Sequence, residues 1–383
     1  MIFRKLGRTD INVGVIGIGT EHIVKEEQNT VTDVVHRAVD SGVNYFDLLW
    51  PQSEYRDKLG HALKGLRSKA ILQAQFCAVL ENGQLAKTRE LKVCMHFYED
   101  LLNRIDTDYM DVLMIHNVDG LDEYEEVMKP GGIMDTALKL RKEGKARYIG
   151  MGGHTVSTAM EAVNSGLINV QMFPVNPAFD TLPGETQLDT LLEDAARFSE
   201  SECGYIKAIS DRKALYSTCE NRGVGLVAMK PFGAGWLLDP ANYKNEPMTP
   251  VQCISYVLSQ PGVDTLVTGV KNIDELEADL AYLNATDKEK DFSKKVAETN
   301  WKIKGSCMYC NHCLPCPTEI DIAAVTRLLD SSALGITEKL AHEYNSLSSK
   351  ASSCIQCMYC NERCPFDVDA AANIKKAELI FEK

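Results

Sequence analysis

Short apolar runs alternate along residues 1–285 with stretches whose apolar positions recur at helical spacing. This alternation predicts parallel strands joined by helical crossovers. Strands are predicted near Val13–Ile18, Val43–Asp47, Ala70–Phe76, Met110–His116, Ala146–Gly152, Ile168–Phe173, Val224–Lys230 and Asp264–Gly269. Helices are predicted near Thr32–Ser41, Glu54–Lys64, Lys87–Arg104, Gly132–Glu143, Val156–Asn164, Thr186–Ser199, Pro250–Gln260 and Ile273–Tyr282.

Eight strand–helix units in this length favour an α/β fold of the closed (β/α)8 TIM-barrel type over an open doubly wound sheet. Gly17-Ile18-Gly19 is too short a match to indicate a dinucleotide-binding G-x-G-x-x-G turn. The stretch Pro177–Arg222 is longer than one crossover needs, and we expect an extra helix at Lys207–Glu220 that lies over the barrel mouth.

Charge and hydropathy narrow the class of protein. The 383 residues include 41 Lys+Arg and 54 Asp+Glu, a net charge of −13, so a nucleic-acid partner is not expected. No apolar run reaches the roughly 18 residues that cross a bilayer, and the first 20 residues lack a signal-peptide layout. We therefore expect a cytoplasmic protein with a small-molecule substrate. The oligomeric state is not readable from the sequence.

Eight of the 13 cysteines fall in two compact runs near the C-terminus. The first run has the spacing C-x2-C-x2-C-x2-C-P and the second C-x2-C-x2-C-x3-C-P. The eight residues are Cys307, Cys310, Cys313, Cys316, Cys354, Cys357, Cys360 and Cys364. The second spacing is that of bacterial ferredoxins, and the first is one residue shorter before its last cysteine.

The two runs predict two [4Fe–4S] clusters. Zinc ribbons use separated C-x2-C pairs, and disulfides do not suit a cytosolic chain. In two-cluster modules of the ferredoxin pattern, the fourth cysteine of each run ligates the other cluster. That pattern implies Cys307, Cys310, Cys313 and Cys364 for cluster one, and Cys354, Cys357, Cys360 and Cys316 for cluster two. We expect residues 1–290 to form the barrel and 291–383 a small ferredoxin-like domain.

Polar side chains gather where the predicted strands end, which is where such barrels carry their active sites. The residues at these ends are Asp47, Gln75, His116, His154, Gln171, Asn176 and Lys230. Each one taken singly has a structural explanation, but their joint placement indicates a polar pocket.

Several segments resemble the aldo-keto reductase family. They are FRKLGRTDINVGVIGIGT at 3–20, NYFD at 44–47, SEYRDKLGHALKG at 53–65, MDVLMIH at 110–116, GKARYIGMGGH at 144–154, VQMFPVN at 170–176, GVGLVAMKPFGAG at 223–235 and LVTGVKNIDELEADL at 266–280. The two cysteine runs resemble the C-terminal two-cluster module of one branch of that family.

The resemblance implies a catalytic Asp, Tyr, Lys and His beside a nicotinamide. Asp47 and His116 match two of these four, but Gln52 stands at the Tyr position and Gln75 at the Lys position. An amide cannot act as a general acid near neutral pH and carries no charge to shift a neighbour's pKa. We therefore expect an altered reaction. His116 and His154 are candidate substitutes for the phenol, and Tyr55 is the nearest tyrosine.

The cofactor positions match the family in part. Gln171 and Asn176 match positions near the nicotinamide carboxamide. Matches on the phosphate side are Lys230, Gly233, Gly235, Thr268, Gly269 and Lys271. Gly152 replaces the usual Ser, and Ala278-Asp279 replace a Glu-Asn pair near the adenine. NAD(P)H and a flavin are both possible cofactors of the barrel. A nicotinamide transfers two electrons as a hydride, whereas each cluster carries one electron, which a flavin can accept.

Three functions remain open at this point. The first is an iron–sulfur oxidoreductase in which clusters feed a substrate or cofactor in the barrel mouth, with a redox partner protein as electron source. The second is a non-catalytic electron-transfer subunit. The third is a redox-neutral lyase or isomerase that uses Asp47 and His116 as an acid–base pair. The clusters could also serve only to brace the C-terminal segment.

Overall fold

The computed structural model describes residues 1–186, 205–243, 246–298 and 304–382. The chain divides into two compact units that interleave along the sequence. The first contains Met1–Pro174, Gly223–Pro231 and Asp264–Asn284, and the second contains Val175–Arg222, Phe232–Val263 and Ala285–Lys383. The domain boundary expected at residue 290 stays a prediction.

A closed barrel of eight parallel strands forms the centre of the first unit. The strands of the described chain are β1 Phe3–Lys5, β2 Asn12–Gly14, β3 Ile16–Gly19, β4 Tyr45–Leu48, β5 Ile71–Phe76, β6 Ala78–Glu81, β7 Gln84–Lys87, β8 Met110–Ile115, β9 Ala146–Gly152, β10 Val170–Pro174, β11 Gly225–Met229 and β12 Val263–Gly269. The barrel order is β3-β4-β5-β8-β9-β10-β11-β12, and β12 closes on β3 with Thr268 opposite Ile18. The predicted barrel is confirmed.

Helices follow the strands, as the sequence pattern predicts. They are α1 Gln28–Asp40, α2 Ser53–Leu63, α3 Leu91–Ile105, α4 Leu121–Met128, α5 Ile133–Lys142, α6 Val156–Asn164, α7 Tyr205–Arg222, α8 Pro250–Ser259, α9 Ile273–Leu280, α10 Asp287–Lys290, α11 Ser293–Glu298, α12 Ile322–Ser331, α13 Glu338–Ser346, α14 Tyr359–Arg363 and α15 Ala370–Phe381. Short 3₁₀ turns join several of them.

Several elements depart from the prediction. The predicted strand Val13–Ile18 is divided between β2 and β3, and β1, β6 and β7 were not predicted. The helix expected to begin at Lys87 begins at Leu91, because Gln84–Lys87 pairs with Ala78–Glu81 as an antiparallel hairpin. The helix α4 was not predicted, since its acidic sequence buries little more than Val127. The predicted helix Thr186–Ser199 falls outside the described residues beyond Thr186.

Alternating side chains of the strands fill the barrel interior. Tyr45, Val112, Met172, Val227 and Val267 belong to one buried cluster, together with residues of the β1–β2 hairpin. Because strand side chains alternate between faces, these inward positions fix which polar residues also point inward. Asp47 lies two residues after the buried Tyr45, and Gln73 lies two residues after Ile71, which packs on the same cluster. Both polar residues are buried.

The C-terminal part of the second unit has its own hydrophobic core. Helices α12, α13 and α15 supply it, with residues such as Ile322, Leu340 and Ile374 at 4% exposure or less. Several of the cysteines pack on this core, namely Cys313, Cys316, Cys354 and Cys360. Residues 304–382 contain helices and loops and no strand. The ferredoxin-like architecture stays a prediction.

The described helices include no candidate membrane span. Each of them is too short or too polar to cross a bilayer.

Candidate functional site

Asp47 lies at the carboxyl end of β4, buried to 6% exposure. Two amides of the next strand donate to the same carboxylate oxygen. Gln73 Nε2 and Gln75 Nε2 each lie 2.7 Å from Asp47 Oδ1. Residues 73 and 75 share one face of β5, because strand side chains alternate. Gln75 therefore contacts Asp47 as the family lysine is expected to, but with a neutral donor.

Gln75 also joins Asp47 to His116. Its Oε1 lies 3.1 Å from His116 Nδ1. A carbonyl oxygen only accepts, so with this amide orientation His116 carries its proton on Nδ1 and leaves Nε2 as an acceptor. At the other end, Tyr45 donates its hydroxyl to Gln73 Oε1. A continuous chain of hydrogen bonds thus runs from Tyr45 through Asp47 to His116.

Burial sets the charge states of these groups. It raises the pKa of Asp47 to about 6, although the bonds from Gln73 and Gln75 oppose the shift. Burial also lowers the pKa of His116 to about 3, and the nearby charge of Arg89 adds to that effect. Near neutral pH the site therefore holds an ionised Asp47 and a neutral His116, which has no second proton to donate.

His154 forms a second acid–base pair with Asp119. Its Nδ1 lies 3.0 Å from Asp119 Oδ2, and both residues are at most 7% exposed. Burial alone would raise the pKa of Asp119, but the hydrogen bonds and charge of His154 outweigh it and lower that pKa. The same contact stabilises an imidazolium on His154. The charge of His154 also reaches His116, so the two histidines lie close together.

Gln52 and Tyr55 lie around the start of α2. Gln52 is the residue that precedes the helix, and its Oε1 is buried without a hydrogen-bond partner. Tyr55 packs edge-on against Trp50, with ring centroids 6.2 Å apart, and Lys58 lies over its ring. Tyr55 therefore has a packing role in this structure.

Lys230 supplies a cation near Asp47. It follows β11 in the left-handed conformation, at φ 54°. Its charge opposes the rise in the Asp47 pKa that burial causes. Backbone conformations of this kind are unfavourable for a lysine and persist where packing imposes them.

Gln171, in β10, has an oxygen with no partner. The residue is 1% exposed, its Nε2 donates to the carbonyl of Met172, and its Oε1 is buried without a hydrogen bond. Buried amide oxygens are usually paired, so this atom is an available hydrogen-bond acceptor at the strand-end site. A nicotinamide carboxamide has a donor for such an acceptor.

The remaining predicted residues have structural contacts. Asn176 is fully buried, and its Oδ1 accepts from the backbone N–H of Phe179. Gly233 and Gly235 adopt φ of 58° and 92° within one 3₁₀ segment. These conformations favour glycine, which accounts for both residues without a ligand.

The phosphate-side matches lie around the end of β12. Thr268 is buried and hydrogen-bonds Asp279, whose other oxygen, Oδ2, is buried without a partner. Burial raises the pKa of Asp279 to about 7. A Cβ at Gly269 would lie 2.4 Å from the ring of His22, so no larger residue fits there. Lys271 is exposed.

The second cysteine run lines a pocket whose empty space, part of it open to solvent, is about 400 Å³. Cys354, Cys357 and Cys360 line this cavity together with Cys316 of the first run. Cys313 also reaches it, and apolar residues such as Ile320 and Ile374 close it. Thiols from both runs therefore share one apolar pocket.

The other thiols of the first run lie near Cys364. Burial, together with the smaller effect of the nearby Cys307 and Cys364, raises the pKa of Cys310 to about 12. Cys307 likewise has Cys364 within electrostatic range. Among the residues that the structure describes, no three His, Cys, Asp or Glu side chains group closely enough to hold a single metal ion.

Sequence reasoning missed two polar residues of the barrel site. Gln73 could have been found from the two-residue period of β5, which places it on the same face as Gln75. Asp119 lies in a loop after β8. Its meeting with His154 depends on the path of that loop, which no local pattern specifies.

Comparison with known proteins shows what the barrel is similar to. Residues 11–180 match the model of the aldo/keto reductase family. This part of the chain, with its barrel fold and its strand-end site, is therefore similar to that family.

Two relatives by sequence and one solved structure are examples of this similarity. An uncharacterised oxidoreductase of Bacillus subtilis, YqkF, is 24% identical over 74% of this chain and 91% of its own length. The L-galactose dehydrogenase of Arabidopsis thaliana is 21% identical over 73% of this chain and 86% of its own. An aldo-keto reductase structure from Bacillus halodurans shares the fold, with a TM-score of 0.58, 20% identity, and coverage of 77% of this chain and 96% of that one.

Proposed function

We propose that this protein is an iron–sulfur oxidoreductase in which two [4Fe–4S] clusters provide single electrons to a small-molecule substrate or cofactor in the barrel mouth. A redox partner protein supplies those electrons. The barrel site has exchanged the usual phenol and lysine for Gln52 and Gln75, so ordinary NAD(P)H-dependent carbonyl reduction is not its expected reaction.

The grouping of the thiols across the two runs carries this proposal. Cys316 lines the cavity of Cys354, Cys357 and Cys360, and Cys364 lies near Cys307 and Cys310. This grouping supports the two crossed sets that the ferredoxin spacing implies, with Cys313 adjoining both of them. A four-iron cubane is wider than one ion, so its ligands stand further apart than those of a single metal. Soft thiolates in an apolar pocket suit such a cluster.

The nature of the electron acceptor in the barrel follows from electron count. A nicotinamide would supply or accept a hydride when bound, and the unpaired oxygen of Gln171 fits its carboxamide. Clusters deliver one electron at a time, which a flavin or a radical-tolerant substrate accepts. Asp279, a buried carboxyl group on the phosphate side, does not favour a second phosphate there.

Proton donation and substrate orientation fall to two different histidines. His116 is neutral, with Nδ1 held by Gln75 and Nε2 left to accept a hydrogen bond from a substrate. His154 has the carboxylate of Asp119 to stabilise its protonated form. We therefore assign proton donation to His154 and substrate orientation to His116.

Anaerobic purification followed by ultraviolet–visible spectroscopy tests the proposal. We expect a broad cluster absorbance that bleaches with dithionite, and either a flavin band or bleaching by NAD(P)H. The absence of iron and acid-labile sulfide would refute the proposal.

A second comparison separates electron delivery from the two alternative functions. Protein from which the clusters have been removed should lose turnover of any substrate that the intact protein converts. If turnover persists, the protein is a redox-neutral acid–base enzyme or the clusters only brace the fold.

A matched pair of variants tests the proton donor. We expect His154→Gln to lower turnover by about 10²–10⁴, the usual contribution of a general acid. His36→Gln, on the partly buried face of α1, is the control, since His36 contacts the carbonyl of Ala62 far from this chemistry. Equal activity of both variants would remove His154 from the mechanism.

A further inference from the structure

The ammonium group of Lys213 lies against the first cysteine loop. Lys213, on α7, is only 9% exposed. Its Nζ donates to the carbonyl of Cys307 and, at 3.2 Å, to the hydroxyl of Ser306. The same Nζ lies 4.4 Å from the ring centroid of Tyr309. A lysine is seldom buried to this degree without specific partners, and these three contacts are the partners that hold the Lys213 ammonium at the first cysteine loop.

The helices around Lys213 hold it in place. Asn221, near the end of α7, donates to the carbonyl of Ser331 at 3.0 Å. Glu220 accepts from Ser331 at 2.8 Å and pairs with Arg327 at 3.2 Å. Tyr216 donates to the buried Asp180 at 2.7 Å. Because these contacts fix the C-terminal part of α7, which follows Lys213 directly, Lys213 has little freedom to move away from Cys307.

Two carboxylates face the same loop with the opposite charge. The charge of Asp291 reaches Cys310, and its side chain is 30% exposed and lies 3.5 Å from His312 Nδ1. Asp330 Oδ2 lies 3.6 Å from Lys213 Nζ and accepts the hydroxyl of Tyr309. Its side chain is 35% exposed against 11% for Lys213. Solvent therefore screens Asp330 more than Lys213.

The cation near the other cysteine run is in a different setting. Arg363 lies within the second run, and its charge reaches Cys316, which is assigned to cluster two. It donates to the carbonyls of Cys313 at 3.4 Å and Pro315 at 2.7 Å, but it is exposed to solvent. Its charge is correspondingly screened. The two cysteine sites therefore differ in the buried charge beside them.

We propose that Lys213 raises the reduction potential of cluster one, held by Cys307, Cys310, Cys313 and Cys364, relative to that of cluster two. This inference rests on the proposed function, since it requires the clusters. Reduction adds one electron and one negative charge to a cluster. A fixed positive charge in a region of low dielectric stabilises that reduced state, and charge is among the factors that set cluster potentials. Lys213 is thus a positioning residue that makes cluster one the electron acceptor within the pair.

A dithionite titration of the anaerobic holoprotein, followed by electron paramagnetic resonance, tests the proposal. We expect Lys213→Met to lower the potential of one cluster and leave the other unchanged. Asp330→Asn, which keeps an acceptor for Tyr309, should shift the same cluster in the opposite direction. Lys339→Gln is the control, because this lysine is 59% exposed and pairs with Glu220 and Glu343 instead.

The outcomes are distinguishable from a failure of the proposed function. Wild-type protein without iron refutes the clusters themselves. Clusters present with both potentials unmoved by Lys213→Met overturn the role of Lys213 alone. If Lys213→Met does not retain cluster one, Asp330→Asn decides, and the absence of an upward shift overturns the proposal. Lys213→Arg, which keeps the charge, should restore the wild-type potential.

Discussion

At the scale of single residues, the barrel site depends on a glutamine with two hydrogen-bonding ends. Gln75 donates to Asp47 and accepts from His116. Asp47 Oδ1 therefore acts as an acceptor, and His116 carries its proton on Nδ1. A lysine at this position would donate but could not accept. The neutral amide of Gln75 therefore bonds to both Asp47 and His116, whereas a lysine ammonium could not accept the proton of His116.

Replacing Gln75 with leucine should destabilise the barrel. The change leaves His116 Nδ1 without its partner and Asp47 with one donor fewer, and each unpaired buried group costs about 1–3 kcal/mol. Denaturant unfolding monitored by circular dichroism measures the loss. Gln84→Leu, on the exposed end of the β6–β7 hairpin, should change the free energy of unfolding little. Equal effects of both variants would contradict the coupling role of Gln75.

The charge of Asp47 gives a pH-dependent signal. Its pKa in the folded protein, about 6, lies above the ordinary value of 3.8, so the folded state binds more protons between these values. The contribution of Asp47 to stability is therefore full below about pH 4 and is lost as the pH rises towards 6. Infrared difference spectra of wild type against Asp47→Asn should show a protonated carboxyl band that is half lost near pH 6. A midpoint near 4 would contradict the buried site.

At the scale of elements, the sequence predicted what depends on local periodicity. Residues Ala146–Gly152 and Val156–Asn164 form the expected strand and helix with unchanged bounds. The β6–β7 hairpin was missed although Asn82-Gly83, both at positive φ, is a common hairpin turn. The grouping of Gln73, Gln75 and Asp47 needed the alignment of β4 with β5, which pairs Asp47 with Gln73. Register between strands is set by packing and not by either strand alone.

Helix α15 provides a test of the C-terminal core. Ile374 is 1% exposed and lines the cavity of the second cysteine run, while Leu379 on the same helix is 57% exposed. Ile374→Ala should cost about 2–5 kcal/mol, as large-to-small core changes do. It should also speed the loss of cluster absorbance in air. Leu379→Ala should change neither, and matching results for both variants would contradict the placement of this core.

At the scale of the whole molecule, the two units carry two different sets of candidate functional residues. The first unit provides a barrel whose strand ends present Asp47, His116 and His154. The second provides the paired cysteine sites and the buried Lys213 beside one of them. Motifs in the sequence predict the residues of both groups except Lys213. The contacts of Gln75 with Asp47 and His116 depend on the fold and could not be predicted from the sequence alone.

Iron and acid-labile sulfide analysis of anaerobically purified protein, with Cys364→Ala beside the wild type, tests the central claim most directly. Two four-iron clusters predict about eight iron atoms per chain in the wild type. Because Cys364 is assigned to the first site, its replacement should remove iron from the cluster of Cys307, Cys310 and Cys313 while the other cluster keeps its paramagnetic signal. Wild-type protein without iron, or a variant that loses the cluster of Cys354, Cys357 and Cys360 instead, would contradict the account.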